Sequence, residues 1–119
     1  MKKVILIGYP NCSTCKKAMK TLKEHGVDVD FRHIVEDTPS KEELIHIWEL
    51  SKLPLKKLFN TSGNLYKEWK LRDRLPDMSE DEQLQLLSEN GMLIKRPIVI
   101  DGENIYIGFQ EKNYENIWA

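Results

Sequence analysis

Lys3 to Ala18 reads KVILIGYPNCSTCKKA, an apolar run closed by glycine and followed at once by both cysteines of the chain, Cys12 and Cys15. The run Lys3–Gly8 predicts a buried strand, because an unbroken, largely β-branched stretch leaves no face for solvent. Beyond the cysteines, Ala18, Met19 and Leu22 recur at helical spacing until His25-Gly26 supplies a stop. Val27–Val35 (VDVDFRHIV) then alternates apolar and polar residues, the pattern of a half-exposed second strand. The opening third is therefore β-α-β, with the cysteine pair at the first strand-to-helix junction.

That junction has its own chemistry. A cysteine at a helix start faces unpaired backbone N–H groups and the positive end of the helix dipole. Both favour thiolate over thiol and lower a cysteine pKa from about 8.5 to somewhere around 3.5–7.5. Cys12 is the expected nucleophile. Cys15, one turn later, is placed to attack a mixed disulfide formed on Cys12. A C-x-x-C beside a βαβ pattern is a cue for a thioredoxin-like redox motif. Asn11 and Ser13 stand next to Cys12 and suit helix-entry capping or donation to a bound oxyanion or thiol. Lys16 and Lys17 read as solvated helix-surface residues. A structural zinc site needs four ligands, and the scattered His25, His33 and His46 do not make a second pair, so no metal is expected.

The middle of the chain changes character. Thr38-Pro39 reads as a cap followed by a proline at the first helical position, with Glu42 and Glu43 in the first turn. Leu44, Ile47, Trp48 and Ser51 share a face. Pro54 restarts the chain for a short apolar turn, Leu55–Phe59, which ends in NTSGN (Asn60–Asn64). A second patch contains Leu65, Tyr66, Trp69 and Leu71. Ser79 with Glu82 forms a capping box for a helix stopped by Asn90-Gly91. Residues of about 38 to 90 thus read as all-helical.

Strands return at PIVI (Pro97–Ile100) and IYIG (Ile105–Gly108), around the turn DGEN (Asp101–Asn104), and a last helix follows with Tyr114, Ile117 and Trp118 as its buried side. Pro97 opens a strand, a poor place for proline inside an ordinary central strand. The order β-α-β, helical insertion, β-β-α matches an α/β chain of thioredoxin-like fold. One domain spanning 1–119 is expected, with the helical subdomain of about 38–90 inserted between its halves.

Composition agrees with a globular protein: 119 residues, 40% hydrophobic and 31% charged. Eighteen Lys and Arg against nineteen Asp and Glu leave a formal charge of −1, which offers no footprint for nucleic acid or an anionic membrane. The short apolar run Val4–Ile7 does not read as a secretory signal, and no stretch has transmembrane length. The expected location is cytoplasmic, where a reducing environment disfavours a purely structural disulfide.

The stretches YPNCSTCKKA, LKKLFNTSG (Leu55–Gly63), LLSENGMLIKRPIVI (Leu86–Ile100) and IGFQ (Ile107–Gln110) resemble the arsenate reductase-related family, the ArsC/Spx/MgsR/YffB group, over essentially the whole chain. The resemblance implies a thioredoxin-like fold with a helical insertion and a thiol-dependent oxidoreductase activity, Cys12 attacking and Cys15 resolving. In thioredoxin-like proteins a cis proline stands before the third strand and faces the reactive cysteine, and Pro97 occupies that place. Arsenate reductases neutralise the oxyanion with arginines, whose planar donors meet it bidentately. Arg96 matches the arginine before the proline, whereas Ser62 and Phe109 stand where two further arginines are expected. The resemblance implies no bound cofactor, glutathione or another small thiol as co-substrate, and glutaredoxin or thioredoxin as electron donor. Its regulator branch, the Spx- and MgsR-like proteins, uses the same cysteine pair as a redox switch and binds RNA polymerase. Here the insertion reads LSKLPLKKLF in place of an expected glycine-containing polymerase contact. The NTSG and IGFQ stretches look more like YffB-type and Firmicutes ArsC-family members. Three readings therefore stay open: a thiol-disulfide oxidoreductase or thiol-dependent reductase, a strict arsenate reductase, and a redox-switched regulator.

Overall fold

A computed structural model describes residues 2–118. The chain divides into two compact units, one made of the two ends (1–33 and 96–119), the other of residues 34–95.

The first unit is a four-stranded mixed sheet carrying two helices. Strand β1 (Lys3–Gly8) is followed by α1 (Ser13–Glu24) and β2 (Asp28–His33). The chain re-enters this unit at β3 (Ile98–Asp101), turns into β4 (Asn104–Ile107) and ends in α6 (Glu111–Trp118). The strand order is β2-β1-β3-β4. β1 and β2 are parallel, with Lys3 opposite Asp28 and Gly8 opposite His33. β3 runs antiparallel to both β1 and β4. This is the α/β, thioredoxin-like arrangement that the order of elements implied. Pairing with β1 stops at His33, so the second strand is shorter than the alternating stretch Val27–Val35 suggested. In the hairpin, Asp101 faces Asn104, and Gly102 takes the tight turn with φ +61°, a conformation open to glycine at no steric cost.

One face of the sheet builds the core. Val4 and Leu6 of β1 and Val99 of β3 pack with Ala18 and Leu22 of α1 and Tyr114 and Ile117 of α6. Each fully buried aliphatic side chain here contributes roughly 1.5–3 kcal/mol relative to exposure. Ile5, on the opposite face, is 38% exposed. Burial alternates along the start of β1, with Lys3 and Ile5 exposed and Val4 and Leu6 buried, although Val4 to Ile7 are all apolar.

The second unit is helical: α2 (Lys41–Ser51), α3 (Asn64–Glu68), α4 (Leu71–Arg74) and α5 (Glu80–Glu89), joined by 3₁₀ turns at Leu55–Leu58, Leu75–Asp77 and Gly91–Leu93. Two expectations are corrected. The cap of α2 is Ser40, not Thr38: Ser40 Oγ accepts from the Glu43 N–H at 3.1 Å, and the Glu43 carboxylate accepts from the Ser40 N–H at 3.0 Å. Thr38 instead donates to the carbonyl of Ile34 at 2.7 Å, closing the turn before the helix. The patch around Leu65–Leu71 is not one helix, because Lys70 adopts φ +52° and splits it into α3 and α4. The capping box Ser79/Glu82 of α5 is present. No helix among the described residues is long and apolar enough to cross a membrane.

Candidate functional site

Cys12 lies just after β1 and is itself the N-cap of α1. Its backbone is extended (φ −85°, ψ 116°), so the sulfur points along the start of the helix and accepts the Cys15 N–H at 3.4 Å. Two backbone bonds fix the loop beneath it: the Cys12 N–H donates to the Tyr9 carbonyl at 3.0 Å, and the Cys12 carbonyl accepts from the Lys16 N–H at 3.0 Å. Asn11 and Ser13 do not cap the helix. Both side chains are exposed and, among the described residues, uncommitted to any hydrogen bond.

The pKa values of the two thiols are moved in opposite directions. Partial burial works against a charge on Cys12, but hydrogen bonds from the Cys15 thiol and N–H, the positive charge of Arg96 and the Thr14 N–H outweigh it, and the pKa falls below the ordinary thiol value. Cys15 is 1% exposed. Burial, reinforced by its hydrogen bond to Cys12 and by the Cys12 charge, pushes its pKa up to about 12. Both cysteines are free thiols. One is partly accessible and the more readily ionised, the other is buried and keeps its proton.

Arg96 precedes β3, and its peptide bond to Pro97 is cis. The guanidinium carbon lies 5.8 Å from the centroid of the Tyr9 ring, a cation–π contact that restrains the arginine near Cys12. The Pro97 carbonyl accepts the Gly108 N–H at 2.8 Å, tying the start of β3 to the end of β4. Lys16 and Lys17 are exposed on α1, and the nearby positive charge that favours the thiolate is that of Arg96.

Two residues here were not singled out by the sequence. Tyr9 supports Arg96 from one side and meets the His33 ring edge-on at 5.4 Å between centroids. Gly8 makes room for Cys15: a Cβ at that position would come within 2.9 Å of Cys15 Sγ and 3.3 Å of Cys15 Cβ. The glycine that closes the β1 run was the visible signal, read only as a strand end.

Phe109 belongs to the core, not to an anion cradle. Its ring packs edge-on against Tyr114 at 5.1 Å and adjoins the cluster under the sheet. Ser62 is an exposed loop residue of the helical unit. Among the described residues no three His, Cys, Asp or Glu side chains gather as a metal site.

A sequence profile of the ArsC family matches residues 7–117. The chain belongs to the ArsC family. It is 55% identical over 111 residues to the uncharacterized protein YusI of Bacillus subtilis, covering 93% of this chain and 94% of YusI. It is 33% identical over 101 residues to the regulatory protein MgsR of the same organism, covering 85% and 79%. A crystal structure of an ArsC family related protein from Bacteroides fragilis superposes with a TM-score of 0.93 at 47% identity, covering 98% of both chains.

Proposed function

We propose that this ArsC-family protein is a thiol-disulfide oxidoreductase or thiol-dependent reductase in which Cys12 attacks and Cys15 resolves. The observation that carries the reading is the split between the two thiols: Cys12 below the ordinary thiol value and partly accessible, Cys15 raised to about 12 and buried, in one hydrogen-bonded pair.

The Cys12 thiolate attacks one sulfur of a substrate disulfide, forming a mixed disulfide and expelling the other sulfur as a thiolate that takes up a proton. Cys12 is then neutral. The charge and the hydrogen bond that held the proton on Cys15 are gone, and burial alone still favours its thiol. Cys15 loses its proton to solvent or to the departing sulfur and attacks Cys12 Sγ. The Cys12–Cys15 disulfide forms, the second substrate thiol leaves, and two electrons have passed to the substrate. Two molecules of glutathione, or one dithiol such as glutaredoxin or thioredoxin, return the pair to the reduced state. Asn11 and Ser13, exposed beside Cys12, would donate to the incoming group, and Arg96, whose charge acts on Cys12, would meet it together with Pro97.

Mass spectrometry after diamide, with and without glutathione, tests this. An internal Cys12–Cys15 disulfide is expected, with Cys15→Ser trapping a glutathione adduct on Cys12. Equal alkylation rates for the two cysteines at neutral pH would sink the proposal.

The similarity to MgsR favours a second reading, in which the same disulfide switches a surface that binds RNA polymerase. Polymerase capture in one redox state only supports it, and capture in neither removes it. Strict arsenate reduction has less support, because Phe109 is committed to the core and supplies no cation.

A further inference from the structure

The helical unit contains a cleft of about 450 Å³ whose charged lining is entirely basic: Lys56 and Lys57 from the 3₁₀ turn, Arg72 from α4 and Lys95 from the segment after Gly91–Leu93. Thr61 adds a hydroxyl at the rim, and the rings of Phe59 and Tyr66, 1% and 5% exposed, form the apolar part of the wall. None of the four cations is ion-paired or hydrogen-bonded through its side chain among the described residues. That is unusual in a chain whose acidic and basic residues nearly balance. The convergence is built by the fold: backbone bonds from Asn60 N–H to the Leu93 carbonyl (2.7 Å) and from Lys95 N–H to the Leu58 carbonyl (2.7 Å) clamp the two basic segments side by side. A second cleft of about 270 Å³ shares Lys56, Tyr66 and Arg72 as a wall and is faced by Leu55, Leu75 and Pro76, with Gln83 and the carboxylate of Glu80 as its polar part.

We propose that this cleft is a binding site for a small organic phosphate carrying at least two negative charges. Lysine and arginine offer only donors, so the ligand must present acceptor oxygens. The planar fork of Arg72 and the point charges of three lysines suit a phosphate group, which offers three such oxygens and about two charges. The volume is within the range of small-molecule sites, about 300–1,000 Å³. The neighbouring cleft, apolar at Leu55, Leu75 and Pro76 and polar at Gln83 and Glu80, can take an organic body whose donors meet the carboxylate while its phosphate stays among the four cations. Like charges gathered around one cleft repel one another, and a bound anion relieves that repulsion, so the ligand also stabilises the fold. The site is independent of the cysteine chemistry.

Inorganic phosphate and pyrophosphate titrated into the full chain at low ionic strength test the proposal, with amide NMR shifts and thermal unfolding as readouts. Saturable shifts are expected at Lys56, Lys57, Thr61 and Lys95, with pyrophosphate binding more tightly than phosphate and raising the unfolding temperature. The double variant Arg72→Gln/Lys95→Gln should bind pyrophosphate at least about tenfold more weakly, the scale of losing charge-assisted hydrogen bonds. Cys12→Ser should bind as the parent does. Soluble phosphate monoesters should compete with pyrophosphate, and phosphatidic acid vesicles should not sediment the protein. Absence of saturation, a response confined to residues 11–14 and Arg96, undiminished binding by the double variant, or binding only to vesicles or to a polynucleotide would each overturn it.

Discussion

The sheet unit and the helical unit handle negative charge in different ways. At Cys12 the group that takes negative charge belongs to the protein, and its ionised form is favoured mainly by groups that cannot move away: a backbone N–H at 3.4 Å, a buried neighbouring thiol and one arginine restrained by Tyr9. In the cleft of the helical unit the positive groups are the ends of long side chains on a 3₁₀ turn, on α4 and on the segment at Lys95, with no carboxylate among them. Fixed dipoles lose little entropy when they act, and partly buried pairs are weakly screened. Lysine tips around an open cleft are adaptable and strongly salt-dependent. The contrast assigns reactivity to the first region and exchangeable binding to the second.

The largest effect should come from Gly8→Val. Its branched side chain drives Cys15 out of its place, with an expected loss of about 1–3 kcal/mol in chemical denaturation, the usual cost of overpacking. Cys15 should also become open to alkylation in the folded protein. A variant of unchanged stability with Cys15 still protected would show that the glycine is not what seats the buried thiol.

Cys15→Ala comes next. Removing the donated hydrogen bond should move the midpoint of Cys12 alkylation against pH upward. In the parent, Cys12 ionises at a lower pH than an ordinary thiol, so its reactivity extends below the usual thiol range and falls as pH drops through its depressed pKa. Cys15 has the opposite sign: its raised pKa keeps it protonated and inert until pH approaches about 12. Stopped-flow alkylation across pH separates the two. An unmoved midpoint in Cys15→Ala would break the argument for the pair.

Arg96→Gln should shift the same midpoint upward by less than Cys15→Ala does, because its charge acts after the hydrogen bonds in importance. Added salt should shift the parent midpoint only slightly, while phosphate binding in the helical unit should weaken steeply. Equal salt sensitivity of the two would erase the contrast between the regions.

The smallest effect is structural. Ser40→Ala removes one half of the capping box on α2 and should cost about 1 kcal/mol in urea unfolding. The Cys12 titration should not change. A shifted Cys12 midpoint would mean that the helical unit influences the thiolate.

Local pattern carried much of this protein. The apolar run Lys3–Gly8, the glycine turn Gly102 between two short strands and the box Ser79/Glu82 each specify their element through contacts a few residues apart, which is why they were legible. The competition between Thr38 and Ser40 was not, since both can cap and only the closing of the preceding turn onto Ile34 decides. Lys70 at φ +52° likewise breaks a pattern that reads as continuous.

The sequence by itself determined the sheet-and-helix order and the place of Cys12 at a helix start, because these rest on short-range spacing, and the family through likeness along residues 7–117. Tertiary structure alone decided that Gly8 seats Cys15, that Tyr9 backs Arg96, that Phe109 is core, and that Lys56, Lys57, Arg72 and Lys95 share one cleft. Those residues meet only after strands pair and turns clamp together. No local preference in the chain records which distant side chain will occupy the space beside them.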